Sequence, residues 1–207
     1  MKKLKITVTA GPTREYLDPV RFLSNPSTGK MGFAVARAAA ERGHEVTLVA
    51  GPVALKTPKG VRRIDVVSAR EMAAAVGASQ GDVLVAVAAV ADWRPRKRAA
   101  KKLKKRDMAG VLELVRNPDI LKTAEFPVKI GFAAETGDPA PEAVRKCREK
   151  KLAMIVANDV SEAGSGFGAD TNRVALCRAD GTVERLPKMS KLAVARRIAR
   201  ECENLRA

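Results

Sequence analysis

Aromatic side chains are almost missing from this sequence: its 207 residues include five Phe, one Tyr and one Trp, or 3%. Surfaces that hold single-stranded nucleic acid rely on stacking platforms of such residues, so that class of function is disfavoured. Histidine is scarcer still. The one imidazole, His44, follows Arg42-Gly43 at the expected end of a helix and reads as a surface residue. A His-based catalytic triad or zinc site is left without support. The three cysteines, Cys147, Cys177 and Cys202, are odd in number and lack metal-like spacing, so reduced thiols are expected. No apolar run is long enough for a membrane span, and the one behind Lys2-Lys3 is too short and interrupted for a signal peptide. The expected location is therefore the cytoplasm.

Acidic residues are also in deficit, with 23 Asp and Glu against 39 Lys and Arg, for a net charge of +16. The imbalance is local. Nine basic residues and no acidic one lie between Arg94 and Arg106. Such a run can bind nucleic acid, remain a solvated loop, or clamp a polyanionic small substrate. No recognition-helix or aromatic pattern accompanies it, which makes nucleic acid the lesser reading. With 46% apolar and 30% charged residues, the chain has the composition of a soluble globular protein with one sizeable core.

The most informative stretch is the first. Ile6-Thr7-Val8-Thr9-Ala10 reads as a buried strand that stops at Gly11-Pro12-Thr13. A polar loop follows to Gly29-Lys30-Met31-Gly32, with Ser27 or Thr28 as the expected N-cap of a helix ending at Arg42-Gly43. Glu45–Ala50 is the next strand. This is a βαβ unit whose loop and helix N-terminus favour an anion. It is not a Walker loop, because Ser24 occupies the first glycine position and Met31 follows Lys30. Nor is it a full dinucleotide fingerprint: only Gly29-x-x-Gly32 is present, and no acidic residue lies between Val46 and Arg63. Arg62 and Arg63 could meet a 2′-phosphate, which keeps an NADP-dependent oxidoreductase as the enzymatic alternative.

Further strands are expected at Arg63–Val67, Val83–Ala89, Val111–Val115, Lys129–Ala134 and Leu152–Ala157. Ser68-Ala69-Arg70-Glu71 has the capping-box pattern, and Asn117-Pro118 reads as the cap and first position of a short helix. Asp92 follows the central strand at the end where ligands gather, or else pairs with Arg94. Lys146 and Lys150, spaced i, i+4 on a helix from Pro139 to Lys151, share a face. Ala179-Asp180-Gly181 signals a late hairpin, and Ser190 caps the final helix. The alternation predicts an α/β fold: a Rossmann-like, doubly wound, mainly parallel sheet with a late antiparallel hairpin, in one domain over 1–207.

Several stretches together resemble the phosphopantothenate–cysteine ligase family of coenzyme A biosynthesis, in its bacterial, CTP-dependent form. They are Thr9–Glu15, Asp18–Phe22, Ser24-Asn25, Gly29–Gly32, Ala88–Asp92, Lys102–Lys105, Asn117–Ile120, Gly131–Thr136 and Val156–Asn158. The resemblance implies coupling of 4′-phosphopantothenate to cysteine through an acyl-cytidylate, with CTP as co-substrate and Mg2+ bridging its phosphates. It implies that Lys102, in a mobile flap at about 94–106, stabilises charge at the α-phosphate. Asn25 would hold the acyl intermediate, and Arg21 would bind phosphopantothenate. Ala86, Val87, Ala88, Asp92, Pro118, Asp119, Ile120, Leu121 and Phe132 would form the nucleotide pocket, with Lys146 and Lys150 on the triphosphate. It further implies a homodimer, for which the hairpin at about 173–187 is the expected contact, and a flavin-dependent decarboxylase as a possible partner half. The chain departs from the pattern at Pro26, Thr28 and Trp93, none of which removes a matched functional group. Met1 lies close to the first strand, so the chain reads as free-standing or as one half of a bifunctional protein.

Overall fold

The computed structural model describes residues 2–105 and 110–206. Along the chain the elements are β1 (Lys5–Ala10), β2 (Arg14–Tyr16), β3 (Phe22–Ser24), α1 (Lys30–Glu41), β4 (Glu45–Ala50), β5 (Val61–Asp65) and α2 (Ala69–Gly77). They continue with β6 (Val83–Ala86), β7 (Trp93–Pro95), β8 (Leu114–Arg116), α3 (Ile120–Thr123), β9 (Val128–Glu135), α4 (Ala140–Glu149) and β10 (Met154–Asp159). The last are β11 (Thr171–Asn172), β12 (Ala175–Cys177), β13 (Val183–Arg185), β14 (Met189–Ser190) and α5 (Lys191–Asn204).

The main sheet has eight strands in the order β13-β12-β10-β9-β6-β1-β4-β5. From β5 to β10 all pairings are parallel, and β12 and β13 are antiparallel. The expected doubly wound sheet with its late hairpin is therefore present. Strand faces follow the period of two. Ile6, Val8, Leu48, Val85, Ile130, Met154 and Val156 join a core with α1 and α5. On the other face Val49 and Leu84 meet α2 and α3, while Ile155 and Ala157 meet α4. Both faces are covered, which is why these strands read as continuous apolar runs.

Local signals held where the partner was near in sequence. Ser68 Oγ accepts from the Glu71 N–H at 3.2 Å, and Glu71 Oε2 accepts from the Val67 N–H at 2.7 Å. Ser190 caps α5 through the Ala193 N–H. Three expectations need correction. The N-cap of α1 is Gly29, in the left-handed region at φ 79°, not Ser27 or Thr28. Asp119, not Asn117, caps α3; the Asn117 amide instead donates to the Ala91 carbonyl at 2.7 Å. The strand placed at Val111–Val115 is β8, paired only with β7 in a small ribbon.

His44 is the largest miss. It is buried, not on the surface. Its Nδ1 accepts the Leu4 N–H at 3.3 Å, so the ring proton sits on Nε2, which donates to Glu203 Oε1 at 2.9 Å. Arg42 grips the same carboxylate with two bonds of 2.7 Å. The imidazole thus joins β1, α1 and α5, far from the carboxyl ends of the strands.

Candidate active site

The strand order reverses between β1 and β6, and a doubly wound sheet opens a crevice at such a point. Here the two loops are stitched together. The Ala89 N–H donates to the Gly11 carbonyl at 2.9 Å, and Thr9 and Thr13 hydroxyls accept the N–H groups of Ala88 and Ala91. The Asn25 side chain donates to the Ala89 carbonyl at 3.1 Å, which brings its loop onto the same crossing.

Two clefts of about 410 and 490 Å³ open there. The first lies over the α1 and α5 side and is walled by Thr28–Gly32; Asn25, Val87 and Lys146 line it. The second lies over α3, and Ala86, Pro118, Asp119, Ile120, Leu121 and Lys150 line it. Ala88, Val90, Asp92 and Phe132 belong to both, so the clefts meet over the ends of β6 and β9.

Lys146 and Lys150 share a helix face but serve different clefts. Lys146 Nζ lies 2.7 Å from Glu135 and 3.4 Å from Glu142; Lys150 Nζ lies 2.8 Å from Asp119. Burial pulls the Lys146 ammonium down, but Glu135 and Glu142 outweigh it and hold the pKa above the usual lysine value. Burial likewise pushes Asp119 up, yet the Lys150 ammonium and the Lys122 N–H keep it below the usual carboxylate range. Lys146 is therefore charged at neutral pH, and a polyanion would compete with carboxylates for both lysines. Asp92 does not pair with Arg94, which instead bonds the Arg116 carbonyl and Asn117 Oδ1.

Two expected site residues lie elsewhere. Neither Arg21 nor Lys102 lines either cleft. Lys102 is exposed, and Arg106 in the same basic run falls outside the described residues. Arg63 is likewise absent from both clefts; it bonds Asp65 and the Leu55 carbonyl.

The structure also places residues in the first cleft that sequence reasoning passed over. Lys191 is 7% exposed and donates to the Gly166 carbonyl at 2.9 Å. Burial first, and Lys30 second, lower its pKa. Lys30 in turn reaches Asp170 at 2.7 Å. As the first residue of an amphipathic helix, Lys191 carries no local sign of burial. Asn158, at the end of β10, is 7% exposed, and among the described residues its Nδ2 is the buried side-chain polar atom with no partner. An unpartnered donor on a residue that lines a cleft can take an acceptor from a ligand, and leaving such a bond unmade costs about 1–3 kcal/mol. Asn158→Leu should accordingly leave the melting temperature of the free protein unchanged or raised. It should abolish most of the stabilisation that a nucleotide confers, which differential scanning fluorimetry reads directly. A destabilised variant that keeps full nucleotide stabilisation would refute this assignment.

Among the described residues no group of three or more His, Cys, Asp or Glu is placed to hold a metal ion, and no helix is long and apolar enough to cross a membrane.

Comparison with known proteins finds relatives in sequence and in fold. Residues 1–205 match the family model described as DNA/pantothenate metabolism flavoprotein C-terminal domain. The "Coenzyme A biosynthesis bifunctional protein CoaBC" of Vibrio vulnificus (strain YJ016) is 46% identical over 97% of this chain and 52% of its own length. The protein of the same name from Escherichia coli (strain K12) is 49% identical over 87% of this chain and 47% of its own. The chain thus spans about half the length of these relatives. The crystal structure of the C-terminal domain of a CoaBC protein superposes with a TM-score of 0.80 at 42% identity, covering 97% of this chain and 94% of that one. On sequence and fold together, the chain belongs to the family of DNA/pantothenate metabolism flavoprotein C-terminal domains.

Proposed function

We propose that this chain is a phosphopantothenate–cysteine ligase: it joins 4′-phosphopantothenate to L-cysteine at the expense of CTP. One observation carries the reading. Residues matched to the ligase pattern at 25, 86–88, 92, 118–121, 132, 146 and 150, distant in sequence, converge on two clefts that meet at Asp92 and Phe132. The relatives' names, which place them in coenzyme A biosynthesis, support the same substrate class.

In this reading Ala86, Val87, Ala88, Asp92, Pro118, Asp119, Ile120, Leu121 and Phe132 enclose CTP, and Lys146 and Lys150 exchange their carboxylate partners for its phosphates. The substrate carboxylate attacks the α-phosphate, pyrophosphate leaves with the β–γ unit, and an acyl-cytidylate remains. Its mixed anhydride is attacked by the cysteine amine; CMP departs with the bonding pair and the amide forms. No histidine nucleophile is needed, because positioning and positive charge lower this barrier. Lys102 offsets charge at the α-phosphate, Arg21 binds phosphopantothenate, and Asn25 holds the acyl intermediate. Two carboxylates line each cleft, Asp92 with Glu135 or with Asp119, which suits a Mg2+ that would enter on the phosphates and draw most of its ligands from phosphate and water. Bound there, it would neutralise phosphate charge.

The free edge of β13 in the hairpin at about 173–187 suits pairing in a homodimer. A flavin-dependent decarboxylase is the natural partner half, given that the similar full-length proteins are called bifunctional.

The test is pyrophosphate release with Mg2+ and 4′-phosphopantothenate, supplying CTP or ATP, with and without cysteine. Release with CTP, and CMP only after cysteine is added, is the expected result. Lys102→Gln should slow pyrophosphate release about 100-fold, the scale on which a single transition-state donor acts. An unaltered first step in that variant would remove Lys102 from the mechanism, and no release with either nucleotide would overturn the ligase reading.

A further inference from the structure

The basic run from Arg94 is tied to the body of the protein at the tip of the β2–β3 hairpin. Asp18 sits in that tip and is fully buried. Its Oδ1 accepts the N–H groups of Val20 and Arg21 at 2.8 and 2.9 Å, and its Oδ2 accepts Arg21 Nε and Nη2 at 3.0 and 2.6 Å. Those bonds lie within the hairpin and close its turn. Two more do not. The Leu103 N–H donates to Asp18 Oδ2 at 3.2 Å, and Arg21 Nη2 donates to the Leu103 carbonyl at 2.8 Å. The peptide groups on both sides of Leu103 are thus held by one carboxylate–guanidinium pair more than eighty residues away. A second tether, the Ala99 N–H to the Leu17 carbonyl at 2.8 Å, secures the segment three residues before Lys102. Arg98 lies over the Tyr16 ring at 5.1 Å.

Local turn closure explains the Val20 and Arg21 bonds but not the grip on Leu103. A segment bearing Lys101, Lys102, Lys104 and Lys105 is repelled by a body that is itself net positive and does not dock without an anionic anchor. Asp18 is that anchor.

We propose that Asp18 is a positioning residue of the ligase: through the Leu103 peptide it fixes the point from which Lys102 reaches the reacting phosphate. The proposal rests on the function argued above. It also gives Arg21 a second task, as the other jaw of the clasp, in addition to any contact with substrate. Only the nucleotide-dependent half-reaction should depend on the placing of Lys102, because Asn25 and the clefts are built without that segment.

Asp18→Asn places an amide N–H against the Leu103 N–H or the Arg21 fork and opens the clasp. Ala99→Pro removes the second tether while leaving Asp18, Arg21 and Lys102 intact, and it lies outside the core should Asp18→Asn fail to fold. In both, pyrophosphate release should slow, by about 10- to 100-fold for a misplacement on the ångström scale. In Ala99→Pro, which leaves Asp18 and Arg21 in place, cysteine-dependent CMP release from preformed acyl-cytidylate should stay at the wild-type rate. Brief trypsin treatment, read by mass spectrometry, should cut at Lys101, Lys102, Lys104 and Lys105 several-fold faster than in the wild type. Unchanged cleavage and an unchanged first step would overturn the proposal, as would both half-reactions falling together with the melting temperature. A wild-type chain that releases no pyrophosphate would instead overturn the ligase reading, with the cleavage comparison still testing the clasp.

Discussion

Asn25→Asp is expected to stall the protein between its two half-reactions. Pyrophosphate should still appear in a burst, acyl-cytidylate should accumulate, and cysteine-dependent CMP release should fall about 100-fold or more. The structure supplies the physical reason. The Asn25 amide spends one N–H on the Ala89 carbonyl, at the stitched crossing of the β1 and β6 loops. Its second N–H and its carbonyl oxygen are then available to orient an acyl group. An aspartate keeps the shape but can donate neither bond. It also sets a negative charge beside the Ala89 carbonyl and the phosphate of the intermediate. Rapid-quench sampling with mass detection of the anhydride would decide the matter. Equal slowing of both half-reactions, with no intermediate, would mean that Asn25 shapes the loop and does not hold the acyl group.

Gly32→Ala should cost more stability than any conservative surface change. A Cβ at this position of α1 would lie 2.5 Å from the Ala10 Cβ and 2.9 Å from the Thr9 carbonyl oxygen. Those atoms belong to the end of β1, in the middle of the sheet, and cannot step aside. The helix must move instead. Overpacking of this kind costs about 1–3 kcal/mol, and contact with rigid backbone puts it at the upper end. For a chain of this size the melting temperature should drop by roughly 5–10 °C. Because Thr28–Gly32 wall the first cleft, nucleotide affinity should fall as well. Gly77→Ala is the matched control: nothing lies within 4 Å of the added carbon, at the end of α2. It should be neutral or stabilising, by up to about 1 kcal/mol. Similar melting temperatures for both variants would show that α1 does not press on β1 as described.

Much of the fold was legible because its signals are short-ranged. Alternating faces along β1, β4 and β6, the Ser68 and Ser190 caps, and the turn at Asp180-Gly181 each depend on residues only a few positions apart. The exceptions among local signals are instructive. Ser27 and Thr28 are good caps by type, yet a glycine at φ 79° begins α1, because the chain must turn tightly there to reach its helix beneath the β1 loop. At α3 the cap passed from Asn117 to Asp119, since the Asn117 amide had a better use in bonding the Ala91 carbonyl across the crevice.

Of the candidate site, the sequence by itself determined the excess of basic residues and the presence of one histidine, and its resemblance to the ligase family pointed to most of the residues that line the joined clefts. Only the tertiary structure decided that Lys146 and Lys150, one turn apart, would open onto different clefts, and that Arg21 and Lys102 would lie outside both. It alone buried His44 against Glu203, aimed Asn158 into a cleft without a partner, and closed Asp18 on Leu103. The reason is the same in each case. Propensity and periodicity act over a few residues, whereas burial of a polar group and the identity of its partner are set by which strands become neighbours, 40 to 159 positions apart.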